Sequence, residues 1–98
     1  MALSRKKSRQ IVVEGISYRW AVSMDSGYDV VVVQHDSGTG QRLEAQTSLW
    51  RRPGEHRRIT PAGVSALITY ALTNGWVPDS LGPPMRVQDI DKQVELFT

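Results

Sequence analysis

The sequence predicts an α+β domain, a four- to five-stranded antiparallel β-sheet wound as a meander with one amphipathic α-helix packed on one face. Three observations carry that expectation. Ile16, Tyr18, Trp20, Val22 and Met24 alternate with Ser17, Arg19, Ala21 and Ser23, a period of two that a half-buried strand explains. Turn signals at Glu14-Gly15, Asp25-Ser26-Gly27 and Asp36 through Gly40 bracket runs of strand length up to Trp50. Val64, Leu67, Ile68, Ala71 and Leu72 then fall at i, i+3, i+4, i+7 and i+8, one stripe of a helix that must lie on the sheet.

Taken in order, residues 1–9 read as a basic solvated tail and 10–98 as a single domain. Gln10 to Val13 is a short strand joined to Ile16–Met24 through Glu14-Gly15, a two-residue link of hairpin length. Tyr28 to His35 centres on Val30, Val31, Val32 and Val33, a β-branched run that belongs in a central strand apolar on both faces. The Asp36-Ser37-Gly38-Thr39-Gly40 loop turns the chain into Gln41–Leu49, with Leu43, Ala45, Thr47 and Leu49 on one face. After a charged loop, Thr60 is placed to cap a helix, Pro61 suits its first position and Ile59 can pack back on Val64. Asn74-Gly75 ends the helix, with Trp76 and Val77 positioned to fold back on it. Met85–Val87 can add an edge strand, and Ile90, Val94 and Phe97 leave open either a final helical turn or a frayed end.

A chain of 98 residues has room for one core and little room for a large cleft. It contains no cysteine, which excludes disulfides, thiolate metal sites and a cysteine nucleophile. The apolar run behind the basic start, Ile11 to Val13, is too short for a signal-peptide core or a membrane span, so the expected setting is the cytoplasm with no membrane partner. The net charge of +2 is unevenly spread. Residues 1–58 carry ten basic and six acidic side chains and residues 59–98 carry two and four. Eight of the twelve Lys and Arg residues sit in two clusters, Arg5, Lys6, Lys7 and Arg9 in the tail and Arg51, Arg52, Arg57 and Arg58 in the loop after Trp50.

Catalytic and metal motifs fare poorly residue by residue. Asp36-Ser37-Gly38-Thr39 matches the four-letter signature of aspartic proteases, yet Gln34 and His35 replace the apolar residues that precede it there, and a hairpin loop accounts for the same letters. His35 and His56 have no compact ligand spacing between them, so no metal is expected. Gly38-Thr39-Gly40 lacks the Lys-Ser/Thr and the helix of a phosphate loop, and Ser26 lacks a nucleophile-elbow context. No enzyme activity and no cofactor are implied.

Ile59-Thr60-Pro61 through Ala71-Leu72 to Gly75-Trp76-Val77-Pro78, followed by Gly82-Pro83-Pro84, is similar to the C-terminal half of a group of small uncharacterised bacterial proteins with an ITP…GWxP pattern after a β-meander. That resemblance implies a fold and a bacterial cytoplasmic setting, and no activity.

Two functional expectations follow. One helix covers one sheet face, so the other leaves apolar surface, assigned here to Ala21, Val31 and Val33, either for a protein partner or a second copy of the chain or to be covered by the N-terminal segment or residues 90–98 folding over it. The alternative is a nucleic-acid-binding module in which Arg5, Lys6, Lys7, Arg9, Arg51, Arg52, Arg57 and Arg58 meet phosphates and Trp50 stacks on a base.

Overall fold

The computed structural model describes residues 7–23, 28–50 and 59–97, with the backbone alone for 49 and 50. Five strands and one helix follow in the order β1 (Arg9–Val13), β2 (Ile16–Ser23), β3 (Tyr28–His35), β4 (Leu43–Trp50), α1 (Pro61–Thr73) and β5 (Met85–Val87), ending in a single 3-10 turn at Ile90–Lys92. The strands lie side by side in chain order in an open sheet. β1 to β4 form the expected antiparallel meander, whereas β5 runs parallel to β4, pairing Leu43 with Met85 and Ala45 with Val87. The sheet is therefore mixed. The chain leaves β4 at one end and travels back along α1 before entering β5, a crossover that returns it in the same direction.

Local chemistry sets the turns. Glu14 and Gly15 both have positive φ, 52° and 80°, the signature of the two-residue turn whose twist matches the strands it joins. The loop after β3 is held by Asp36 N donating to the Ser17 carbonyl and Gly38 N donating to that of His35. At the start of α1 the Thr60 hydroxyl accepts from Gly63 N at 3.0 Å, with Pro61 in the first turn. At its end Gly75 takes φ 103° and Trp76 N donates to the Ala71 carbonyl, the long-range bond of a Schellman cap.

One core lies between the sheet and α1. Tyr18, Val31, Val33, Leu43 and Ala45 from the sheet and Val64, Leu67, Ile68 and Ala71 from α1 are fully buried, and Trp20 and Trp76 nearly so. The helical stripe is as expected, Leu72 at its margin being half-buried. Trp76 folds back while Val77 stays exposed, and Ile16, at the outer end of its stripe, is 45% exposed.

The C-terminal segment is part of this core. Ile90 and Leu96 are buried in it, Thr60 N donates to the Leu96 carbonyl, and Ile59 bridges to Phe97. Asp91 accepts from Ser48 N at 2.6 Å and from Ser48 Oγ at 2.7 Å, tying the 3-10 turn to β4. At the other terminus the ordered sheet begins inside the stretch read as tail, since Arg9 is already paired and Ser8 is buried.

Candidate functional site

Antiparallel register places paired residues on one face, and it reassigns the valines. Val31 pairs with Val22 and Ala45, and Val33 with Trp20 and Leu43, so both valines lie under α1 at 0% exposure. They are core residues and not interface candidates. Their places on the opposite face, the one left uncovered among the described residues, belong to Val30 and Val32. Val32 sits between Ala21 and Glu44, and Val30 between Ser23 and Gln46. Ala21 keeps its expected face. These three apolar residues are half-buried and stand outside the core cluster.

Around them the uncovered face is polar and tightly bonded. Arg19 donates from Nε to Ser8 Oγ at 2.8 Å and from Nη2 to the Ser8 carbonyl at 3.0 Å, while Nη1 lies 3.5 Å from Asp36 Oδ1. Ser17 Oγ donates to Asp36 Oδ2 at 3.2 Å and accepts from Gln10 Nε2 at 2.7 Å. Gln34, next to Arg19 across the ladder, is only 5% exposed. On the far side Glu44 lies between Arg86 Nε at 3.1 Å and Arg42 Nη1 at 3.7 Å.

The alternation along β2 signalled that Ser17 and Arg19 face away from the core. Their partner Asp36 could not be read, because it lies across a turn and a strand. Its carboxylate is held by Ser17 and Arg19, which accounts for the protease-like tetrapeptide as a structural loop. The rest of that loop is bonded within itself: His35 Nδ1 meets Ser37 Oγ at 2.9 Å and Ser37 Oγ meets Thr39 Oγ1 at 3.0 Å. Among the described residues no group of three or more His, Asp or Glu side chains could hold a metal ion.

No family model matches the chain, and no curated protein or solved structure matches it either.

Of the residues expected to meet nucleic acid, Arg5, Lys6, Arg51, Arg52, Arg57 and Arg58 lie outside the described residues, as does the side chain of Trp50. Lys7 is exposed, and the Arg9 guanidinium lies over the Trp20 ring, 5.8 Å from its centroid. No helix among the described residues is long and apolar enough to cross a membrane.

The Gly75-Trp76-Val77-Pro78 and Gly82-Pro83 letters do structural work. Trp76 Nε1 donates to the Gln41 carbonyl, Val77 N donates to Gln41 Oε1, and Gln41 Nε2 donates to the Pro83 carbonyl, each at 3.0 Å. Pro78 packs its carbonyl against Gly40, at φ 94°, where a Cβ would collide. The segment after α1 is thus clasped onto the start of β4.

Proposed function

We propose that the protein is a non-catalytic interaction module that presents its uncovered sheet face to another protein. The observation that supports this is the cluster of Ala21, Val30 and Val32, half-buried beside the Arg19–Asp36 and Glu44–Arg86 pairs, while α1 and residues 90–97 are committed to the opposite face. Fixed side chains at the margin lower the ordering cost of binding, and the apolar centre supplies the driving force. A second copy of the chain is one form this partner takes, and solution mass distinguishes it from a different protein.

The test compares wild-type protein with Val32→Asp in solution mass and in affinity capture from an extract of the native host. A charge forced into the centre of the contact should weaken association at least about tenfold, since an unpaired buried charge costs about 2–5 kcal/mol. Circular dichroism should stay as it was, because Val32 faces away from the core, while the unfolding midpoint should fall modestly, since an aspartate there replaces a β-branched residue directly opposite Glu44. If Val32→Asp keeps every captured protein and the same mass, the reading fails.

One observation favours the nucleic-acid alternative. Arg9 opens β1, Tyr28 opens β3 opposite Trp50, and Trp50 closes β4, so both basic clusters attach to the same end of the sheet. Binding of generic DNA or RNA in the same assays decides it. Log affinity falling by about 0.9 per neutralised phosphate against log salt would replace the protein-binding reading.

A further inference from the structure

β1 forms one edge of the sheet and β5 the other. The β5 edge is blunted: it is three residues long, follows Pro83-Pro84 and leads to Asp89, whose φ is 55°. β1 has none of these protections. Its five residues pair with β2 in unbroken register, without proline, glycine or bulge, and end in the run Ile11, Val12, Val13. Its one charged side chain, Arg9, lies over the Trp20 ring at the start of the strand.

The register fixes which backbone groups face outward. Val13 and Ile16 close the two-residue Glu14-Gly15 turn and are therefore a hydrogen-bonded pair, and by alternation so are Ile11 with Tyr18 and Arg9 with Trp20. Gln10 and Val12, opposite Arg19 and Ser17, turn their N–H and C=O groups away from β2. The Ser17 carbonyl agrees with that phase, since it accepts from Asp36 N at the end of β3 and not from β1. No described residue bonds the outward groups of Gln10 and Val12, and the Val12 side chain beside them is 60% exposed.

What fits such an edge is another extended strand, and β1 itself has the matching ends. When β1 of a second copy is laid antiparallel about a twofold axis at Ile11, Gln10 faces Val12 of the second copy and each N–H meets the other's C=O. Val12 is then flanked by Gln10 of the second copy on one face. On the other, Ile11 lies against Ile11 of the second copy in a non-hydrogen-bonded pair, where side chains come closest. The Lys7 end of each strand meets the Glu14 end of the other. Both side chains are exposed, and neither makes an ion pair among the described residues. α1, which packs nearer to β1 than to the other strands, has no charged residue, so an identical helix across the seam meets no like charge.

We infer that the protein forms a twofold dimer in which β1 pairs with β1 of a second copy and joins the two five-stranded sheets into one. The seam runs along the sheet edge and not across the uncovered face, so the inference does not rest on the interaction-module reading.

Sedimentation of the intact chain over a concentration series at low salt should show the mass rising from 11.0 kDa to twice that value. Amide exchange followed by NMR on the same samples should show Gln10 and Val12 becoming protected as the dimer forms. Val12→Pro removes an outward donor that β2 does not use, so the fold is kept while the dimer dissociation constant rises at least about tenfold. Glu14→Lys should weaken the dimer about tenfold, because repulsion replaces attraction at both ends of the seam, and adding Lys7→Glu should recover most of that loss. Should Val12→Pro fail to fold, this charge exchange and the amide protection decide. Val32→Asp should alter neither the mass nor the exchange at the two amides. A mass that stays at 11.0 kDa throughout, a dimer that leaves Gln10 and Val12 unprotected, or a folded Val12→Pro that dimerises as wild type does would overturn the inference. So would loss of the dimer in Val32→Asp, which would assign the second copy to the uncovered face.

Discussion

At Gly63 the backbone of α1 lies directly against the Leu96 carbonyl, so a Cβ there would meet backbone atoms that have no flexible end to swing away. A glycine inside a helix ordinarily costs about 1 kcal/mol relative to alanine, and replacing it should stabilise. Here the sign reverses, since forcing a methyl group into a filled site costs about 1–3 kcal/mol. Gly63→Ala should lower the urea unfolding free energy by about 1 kcal/mol net, and a gain would show that residues 95–97 do not press on the helix. Asp91 offers a second residue-level reading. Desolvation is the largest single influence on its carboxyl and acts upward, but the Ser48 N–H and hydroxyl, its own N–H and Lys92 together outweigh it and hold the pKa below the ordinary value. A carboxyl depressed on folding stabilises fully at pH above its unfolded pKa, near 4, and loses that contribution as pH falls through the lower folded value. Acid titration of unfolding should therefore show stability draining away below about pH 4, with a shallower acid limb in Asp91→Asn. Identical acid limbs would mean that the Ser48 contact does not persist in solution.

At the scale of elements, what could be read from the chain is what is repeated within a short stretch. β2 and α1 were legible because alternation and the i, i+3, i+4 stripe each recur several times, and the caps of α1 because Thr60, Pro61 and Gly75 have local backbone roles. The face of β3 was not. Val30 to Val33 is apolar at every position, so its phase carries no information, and which pair goes inward is decided by register against Trp20 and Leu43. That single ambiguity displaced the candidate interface by one residue. The direction of β5 was equally hidden, because three residues between a proline pair and a turn say nothing about where the chain re-enters the sheet. In the C-terminal segment the spacing of Ile90, Val94 and Phe97 leaves open a final helical turn or a frayed end; a single turn forms at Ile90–Lys92, and Leu96, outside that pattern, is buried along with Ile90. The burial of Leu96 comes from tertiary contact with α1, which the local spacing does not encode. The Arg19–Asp36 pair was half legible: the wet face was visible in β2, the partner was not.

The whole molecule closes only when its last residues are in place. The sheet and α1 enclose a core from which Ile90 and Leu96 cannot be subtracted without leaving two holes, and the same segment supplies the acceptor for Thr60 N and the carboxylate for Ser48. Removing a large buried aliphatic side chain costs about 2–5 kcal/mol, and a domain of this size holds about 5–15 kcal/mol in total. A chain ending at Gln88 would lose both side chains, leave α1 uncovered at Gly63 and free the N-terminal turn of the helix. The expected result is loss of the cooperative thermal transition, with near-UV circular dichroism from Trp20 and Trp76 collapsing while some β signal survives in the meander. Because β1 to β4 pair with their sequence neighbours, they can persist as local hairpins without packing, which is why loss of cooperativity rather than loss of all secondary structure is the discriminating readout. A truncated chain that still unfolds in one sharp step near the full-length midpoint would show that the sheet and helix are self-sufficient and that residues 89–97 merely lie against them.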